Sequence, residues 1–107
     1  MKLLLIEDDV RVAWVLAEAF GAEGHETTIR YSGEDGLAYL ARERPDAVVL
    51  DVRLPAIDGV GVLRQIRATD QALPVIIMTG LATLGEIAEA FRKPHRVRLD
   101  REDIIRS

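Results

Sequence analysis

The sequence predicts an α/β fold in which helices cover both faces of a parallel sheet. Short, β-rich apolar runs alternate with amphipathic segments along the chain. Two of the runs, 47–50 and 75–78, are apolar at every position, which is typical of parallel strands buried on both faces. The length of 107 residues predicts a single domain over 1–107.

The first half of the chain contains two predicted strands and two predicted helices. Residues 3–6 are an apolar first strand, and 27–31 are a more polar second strand. Between them, apolar residues recur over 12–20 at the spacing i, i+3, i+4, i+7, i+8, which predicts a helix. Ser32 followed three residues later by Asp35 predicts a capped second helix.

The second half continues the same alternation. Residues 47–50 are the third strand, apolar residues over 62–66 mark a third helix, and 75–78 are the fourth strand. Thr83 and Glu86 have the spacing of a capping box and predict a fourth helix.

Composition excludes several function classes. Lysine plus arginine number 14 against 18 aspartates and glutamates, so the net charge is −4 and we expect no nucleic-acid binding by this domain. The absence of cysteine excludes disulfide scaffolds, thiolate zinc sites and cysteine nucleophiles. The apolar runs are too short to span a membrane, so we expect a soluble cytoplasmic domain.

Acidic side chains follow two of the predicted strands. Residues 7–9, Glu-Asp-Asp, follow the first strand, Asp51 follows the third, and Thr79 follows the fourth. In parallel α/β sheets, ligands bind beyond the carboxyl ends of the strands. Carboxylates gathered there repel one another unless a hard cation, preferably magnesium, lies between them. Capping of the next helix is the other explanation, and it accounts for Asp9 alone.

Three blocks carry a resemblance to a known family. Residues 4–9 read LLIEDD, residues 48–59 read VVLDVRLPAIDG, and residues 74–80 read PVIIMTG. Their order and spacing resemble the receiver domain of bacterial two-component response regulators, over residues 1 to about 92. The resemblance implies a doubly wound, flavodoxin-like sheet with strand order 2-1-3-4-5. It also implies an aspartate that accepts phosphate from a histidine kinase or a histidine phosphotransfer protein.

The resemblance assigns roles to individual residues. It implies that Asp51 is the phosphoacceptor, a carboxylate nucleophile that forms an acyl phosphate. It makes Asp8 a direct ligand of Mg²⁺ (or Mn²⁺) and Glu7 the acid that holds a metal-bound water, and it adds Asp51 itself and the backbone carbonyl of Arg53 to the metal site.

The remaining family positions concern switching. Thr79 corresponds to the hydroxyl that moves to bind the phosphate, and Gly80 is the small neighbour whose backbone leaves room for it. Lys93 is the candidate for the family's phosphate-binding lysine, but it follows Thr79 by only 14 residues, too few for a helix and a fifth strand. There are three explanations: the sequence omits residues between Phe91 and Lys93, the fifth strand has been deleted, or Val97 and Leu99 form a short edge strand. The spacing favours the first two.

The expected function is a signalling receiver that switches a surface for a downstream protein partner and assists only its own phosphorylation and dephosphorylation. Without a fifth strand, the fourth strand has an unpaired edge, and such an edge can pair with a second chain. We therefore expect a homodimer through the side of the fourth helix and the C-terminal segment. One alternative is an interaction module that has lost phosphorylation. A less favoured one is an aspartyl-nucleophile phosphatase, which needs an acid where Arg53 stands. Whether the domain stands alone or belongs to a longer regulator is open.

Overall fold

The computed structural model describes residues 1–51 and 59–78. The predicted fourth helix and the segment that carries Lys93 lie outside the described residues. Within them, strands and helices alternate without exception, as the sequence predicted. In chain order the elements are β1 (Lys2–Ile6), α1 (Val10–Ala22), β2 (Glu26–Arg30), α2 (Gly33–Leu40), β3 (Ala47–Asp51), α3 (Gly59–Thr69) and β4 (Val75–Met78).

The four described strands form one parallel sheet in the order β2-β1-β3-β4. This confirms the predicted α/β class and the 2-1-3-4 part of the predicted order. Ile6 of β1 is level with Leu50 of β3, and Asp51 is level with Met78 of β4. The carboxyl ends of β1, β3 and β4 therefore meet at one edge of the sheet.

The sheet is buried on both faces because successive side chains of a strand point to opposite sides. Every residue of β3 and β4 is buried, and so are the four apolar residues of β1. On one face the strands pack against Ala13, Leu16 and Phe20 of α1. On the other face they pack against Val62, Leu63 and Ile66 of α3, with Leu37, Tyr39 and Leu40 at its margin.

Side-chain caps begin the first two helices. Asp9 is the N-cap of α1 and Ser32 is the N-cap of α2. The Ser32 hydroxyl accepts a hydrogen bond from the Asp35 backbone N–H at 3.1 Å, which confirms the predicted capping pair. Beyond α1, Gly24 has a φ of 88°, a left-handed conformation that glycine adopts without a steric penalty.

Helix α2 lies unusually close to the end of β1. A methyl group added at Gly36 would overlap the Cδ1 atom of Ile6 and lie 2.8 Å from its Cγ1 atom. A residue with a Cβ atom at position 36 would therefore require the buried Ile6 side chain to move. Among the described residues, no helix has the length and apolar content needed to cross a membrane.

Candidate metal centre

Three carboxylates meet at the carboxyl end of the sheet. Glu7 and Asp8 follow β1, and Asp51 is the last residue of β3, the strand beside it. One oxygen atom from each side chain lies within 4.8 Å of the other two. The predicted convergence of these acids is therefore present in the structure. We call Glu7, Asp8 and Asp51 the carboxylate cluster.

The cluster has a buried side and an exposed side. Glu7 and Asp51 are 5% and 7% exposed, whereas Asp8 is open to solvent. Two carboxylates buried in contact are unstable when both are ionised, unless protons or a cation compensate. Three carboxylates at this spacing match the hard oxygen ligands that Mg²⁺ binds, and the exposed side leaves space for its waters. The residues present therefore fit a divalent cation.

The pKa of Glu7 is raised by its surroundings. The pKa of its carboxyl group is raised to about 8, chiefly because the group is buried and in part because it is hydrogen-bonded with Asp51 and Asp8. A hydrogen bond from the Asp9 backbone N–H, at 3.1 Å to Oε2, opposes the rise. At neutral pH and without a cation, we therefore expect Glu7 to hold a proton that relieves the repulsion.

A backbone hydrogen bond fixes the position of Glu7 at the end of β1. Its N–H donates to the carbonyl oxygen of Arg30 at 3.0 Å, which extends the pairing of β1 with β2 past the end of the strand. Because this bond belongs to the sheet, the Cα of Glu7 is held in register with the neighbouring strand. The Glu7 side chain is then buried at the sheet edge instead of extending into solvent.

The Asp9 side chain caps helix α1 and does not belong to the carboxylate cluster. Its side-chain Oδ1 accepts hydrogen bonds from the backbone N–H groups of Arg11 and Val12, at 2.9 and 3.2 Å. This confirms that helix capping explains Asp9 among the three consecutive acids. The sequence did not predict the hydrogen bond from the Asp9 backbone N–H to Glu7. Almost every residue has a backbone N–H, so residue type does not show which one will bind a given side chain.

The other predicted site residues lie outside the described residues. They are Arg53, Thr79, Gly80 and Lys93. Their roles stay predictions. Thr79 follows Met78 in the sequence, and Met78 pairs with Asp51 at the end of the sheet.

Comparison with known proteins gives a family. A family model for the response regulator receiver domain matches residues 3–95. The transcriptional regulatory protein AfsQ1 of Streptomyces coelicolor is 52% identical over 78 residues, which cover 73% of this chain and 34% of AfsQ1. Sporulation initiation phosphotransferase F of Bacillus subtilis is 35% identical over 89 residues, which cover 83% of this chain and 72% of that protein. The chain thus spans about a third of AfsQ1.

Solved structures give the same fold. A CheY-like response regulator receiver domain from Methanospirillum hungatei matches with a TM-score of 0.73 at 22% identity, covering 92% of this chain and 76% of its own. At that identity the likeness supports the fold alone. The crystal structure of the histidine kinase ThkA in complex with the response regulator protein TrrA contains a chain with a TM-score of 0.72 at 27% identity. The match covers 77% of this chain and 71% of that chain.

Proposed function

The chain belongs to the receiver domains of two-component response regulators, which signal through phosphorylation, and we propose that Asp51 is its phosphoacceptor. The observation that carries this proposal is the carboxylate cluster, whose three side chains lie within 4.8 Å of one another. Asp51 is its member on the central strand β3, buried and held in the sheet. A nucleophile needs such a fixed position relative to the phosphoryl group that it attacks.

The reaction that we propose is a phosphoryl transfer between two protein side chains. A carboxylate oxygen of Asp51 attacks the phosphorus of a phosphohistidine, an O–P bond forms, and the N–P bond breaks. The electron pair of that bond stays on the imidazole nitrogen. If the other ring nitrogen carries no proton, the imidazole takes up a proton and leaves as the neutral ring. A bound Mg²⁺, or Mn²⁺, would supply charge neutralisation for the transferring group.

Each residue of the cluster has a distinct proposed task. Asp8, the exposed member, binds the cation directly, and Glu7 accepts a hydrogen bond from one of its waters. Asp51 and the backbone carbonyl of Arg53 complete the metal site in our proposal. The acidic donor set and the solvent access of Asp8 support these assignments.

Switching is proposed on the family resemblance. We propose that the Thr79 hydroxyl binds the phosphoryl group, that the small Gly80 leaves room for this movement, and that Lys93 is the candidate for the phosphate-binding cation. The end of β4 at Met78, level with Asp51, supports the assignment of Thr79. The short spacing from Thr79 to Lys93 makes Lys93 the least supported of the three.

The proposed partners are proteins. We propose a histidine kinase or a histidine phosphotransfer protein as phosphate donor and a downstream protein as receiver of the signal. A similar chain occurs in a complex of a histidine kinase with a response regulator, which supports the first. The net charge of −4 supports the absence of nucleic-acid binding by this domain. We place the single receiver domain, 1–107, in the cytoplasm, with no enzymatic role beyond its own phosphorylation and dephosphorylation.

We also propose a homodimer through the side of the fourth helix and the C-terminal segment. Within the described residues, β4 pairs with β3 alone, and an unpaired strand edge favours association with another chain. Size-exclusion chromatography with light scattering tests this. The expected result is a dimer mass at high concentration, and a clean monomer would contradict the proposal.

The phosphoacceptor is tested by incubation with acetyl phosphate and MgCl₂, followed by intact-mass measurement. We expect an adduct of one phosphoryl group that EDTA prevents and that is lost in Asp51→Asn. Asp46→Asn is the matched control, because Asp46 precedes β3 at the opposite end and accepts a hydrogen bond from the Lys2 backbone N–H. An adduct that persists in Asp51→Asn contradicts our assignment. No adduct under any condition favours the phosphorylation-independent interaction module.

A further inference from the structure

The turn between β1 and α1 is held by two sets of hydrogen bonds that share Asp9. The Asp9 backbone N–H donates to Oε2 of Glu7 at 3.1 Å. The Asp9 side-chain Oδ1 accepts from the backbone N–H groups of Arg11 and Val12. One residue thus joins the start of the helix to a buried member of the carboxylate cluster.

We propose that Asp9 is a positioning residue, whose helix cap keeps its backbone N–H on Glu7 and so holds the Glu7 carboxylate in the cation site. This inference rests on the proposed function, since it concerns the same site. It adds a role for the third consecutive acid, which contributes no ligand of its own.

The cap fixes the backbone on which this contact depends. Asp9 has φ −79° and ψ 111°, the extended conformation of an N-cap residue, and its carbonyl accepts the first helical bond from Ala13 at 2.9 Å. With both its side chain and its carbonyl bound to the first turn of α1, the orientation of the Asp9 peptide is fixed relative to the helix. Helix α1 is itself fixed on the sheet by Leu16 and Phe20, both buried.

The benefit to Glu7 is a fixed orientation of its carboxylate. Glu7 is buried and close to Asp8 and Asp51, so once its carboxyl group is ionised, repulsion favours rotation of the side chain away from them. The hydrogen bond at Oε2 opposes that rotation. Groups that orient a metal-binding side chain typically change the metal affinity by about 10–100-fold when they are removed.

The negative charge of Asp9 offers a competing explanation, since a nearby carboxylate attracts any cation. The two explanations predict different cation affinities for a variant whose capping residue carries no charge. Asp9→Asn keeps a side-chain oxygen that can cap the helix but removes the charge, whereas Asp9→Ala removes both. Ser32→Ala is the matched control, because it removes the side-chain cap of α2, whose hydroxyl accepts a hydrogen bond from the Asp35 backbone N–H.

The experiment measures Mn²⁺ binding by the electron paramagnetic resonance signal of free Mn²⁺, together with the thermal midpoint of the metal-free protein. We expect Asp9→Ala to weaken Mn²⁺ binding by about tenfold, and Asp9→Asn to restore most of the affinity. Ser32→Ala should lower the thermal midpoint and leave the affinity unchanged. Hydrogen exchange of the backbone amide at position 9, measured without metal, should accelerate in Asp9→Ala alone of the three variants.

Two results would overturn the inference. Equal weakening in Asp9→Ala and Asp9→Asn would assign the effect to charge, and a lower thermal midpoint with unchanged Mn²⁺ affinity would leave Asp9 a helix cap only. Failure of the proposed function is separate, because it shows as a wild-type protein that binds no Mn²⁺ and forms no phosphoryl adduct. In that case the amide exchange at position 9 still decides whether the cap holds the contact with Glu7.

Discussion

Cation binding to the carboxylate cluster should release a proton from Glu7. Its pKa of about 8 means that about one Glu7 side chain in eleven is ionised at pH 7 in the metal-free protein. A divalent cation beside a carboxyl group favours the ionised form of that group, so cation binding releases its proton. We therefore expect the release of about 0.9 proton for each Mg²⁺ bound at pH 7, and an affinity that rises about tenfold from pH 6 to pH 7.

Isothermal titration calorimetry measures both quantities. Titrations of MgCl₂ in two buffers with different ionisation enthalpies give the number of protons released, and a pH series gives the affinity. The rise in affinity should level off above about pH 8, where Glu7 is already ionised. Glu7→Gln, which cannot ionise, should bind more weakly at high pH and lose most of the pH dependence. Binding that releases no proton at pH 7, or an equal pH dependence in Glu7→Gln, would refute the assignment.

The same titration affects stability without metal. The pKa of Glu7 is raised from 4.5 to about 8 in the folded protein, so the folded state holds more protons than the unfolded state between these values. Its contribution to stability is full below about pH 4.5 and is lost as the pH rises through about 8, at up to about 1.4 kcal/mol per pH unit. Thermal melting of the metal-free protein should therefore show a loss between pH 6 and pH 8 that Glu7→Gln reduces.

Four further substitutions test contacts that stabilise the fold, with urea unfolding as the measurement. Gly36→Ala should destabilise the protein by about 1–3 kcal/mol because its methyl group overlaps Ile6, and a gain would contradict the close approach. Thr27→Val should be neutral or stabilise by about 1 kcal/mol, since the buried Thr27 hydroxyl has no hydrogen-bond partner among the described residues. A clear loss of stability would argue for a partner. Asp70→Ala should cost more than Arg44→Ala, because Asp70 accepts two backbone N–H groups besides the Arg44 guanidinium. Equal losses would assign the effect to the ion pair alone.

The sequence predicted the buried strands better than the exposed elements. The fourth strand was predicted over 75–78 and observed there, because every residue is apolar and Pro74 precedes it. The second strand was predicted over 27–31 and observed at Glu26–Arg30. It lies at the edge of the sheet and carries polar side chains, so no change in hydrophobicity marks its ends. The limits of α3 were also missed, because its buried apolar residues lie over 62–66 whereas the helix spans Gly59–Thr69.

The cluster itself could be predicted because it depends on topology. Neighbouring parallel strands end at the same edge, so acids that follow β1 and β3 must lie close together. The depth of burial of Glu7 could not be predicted in this way. It depends on pairing of the Glu7 backbone with Arg30, a contact 23 residues away in sequence. Strand pattern therefore predicts which acids meet, whereas tertiary packing decides which of them holds the proton.

The unequal burial within the cluster links its chemistry to signalling. Glu7 and Asp51 are both buried, and two buried carboxylates in contact are not both ionised without compensation. A proton on Glu7 and a cation bound by Asp8 are therefore alternative ways of compensating the same charge. Only the cation also offsets the charge of an incoming phosphoryl group, since protonation merely neutralises one acid. We therefore expect the phosphorylation rate of Asp51 to follow occupancy by Mg²⁺, and to rise with pH over the range in which Glu7 ionises.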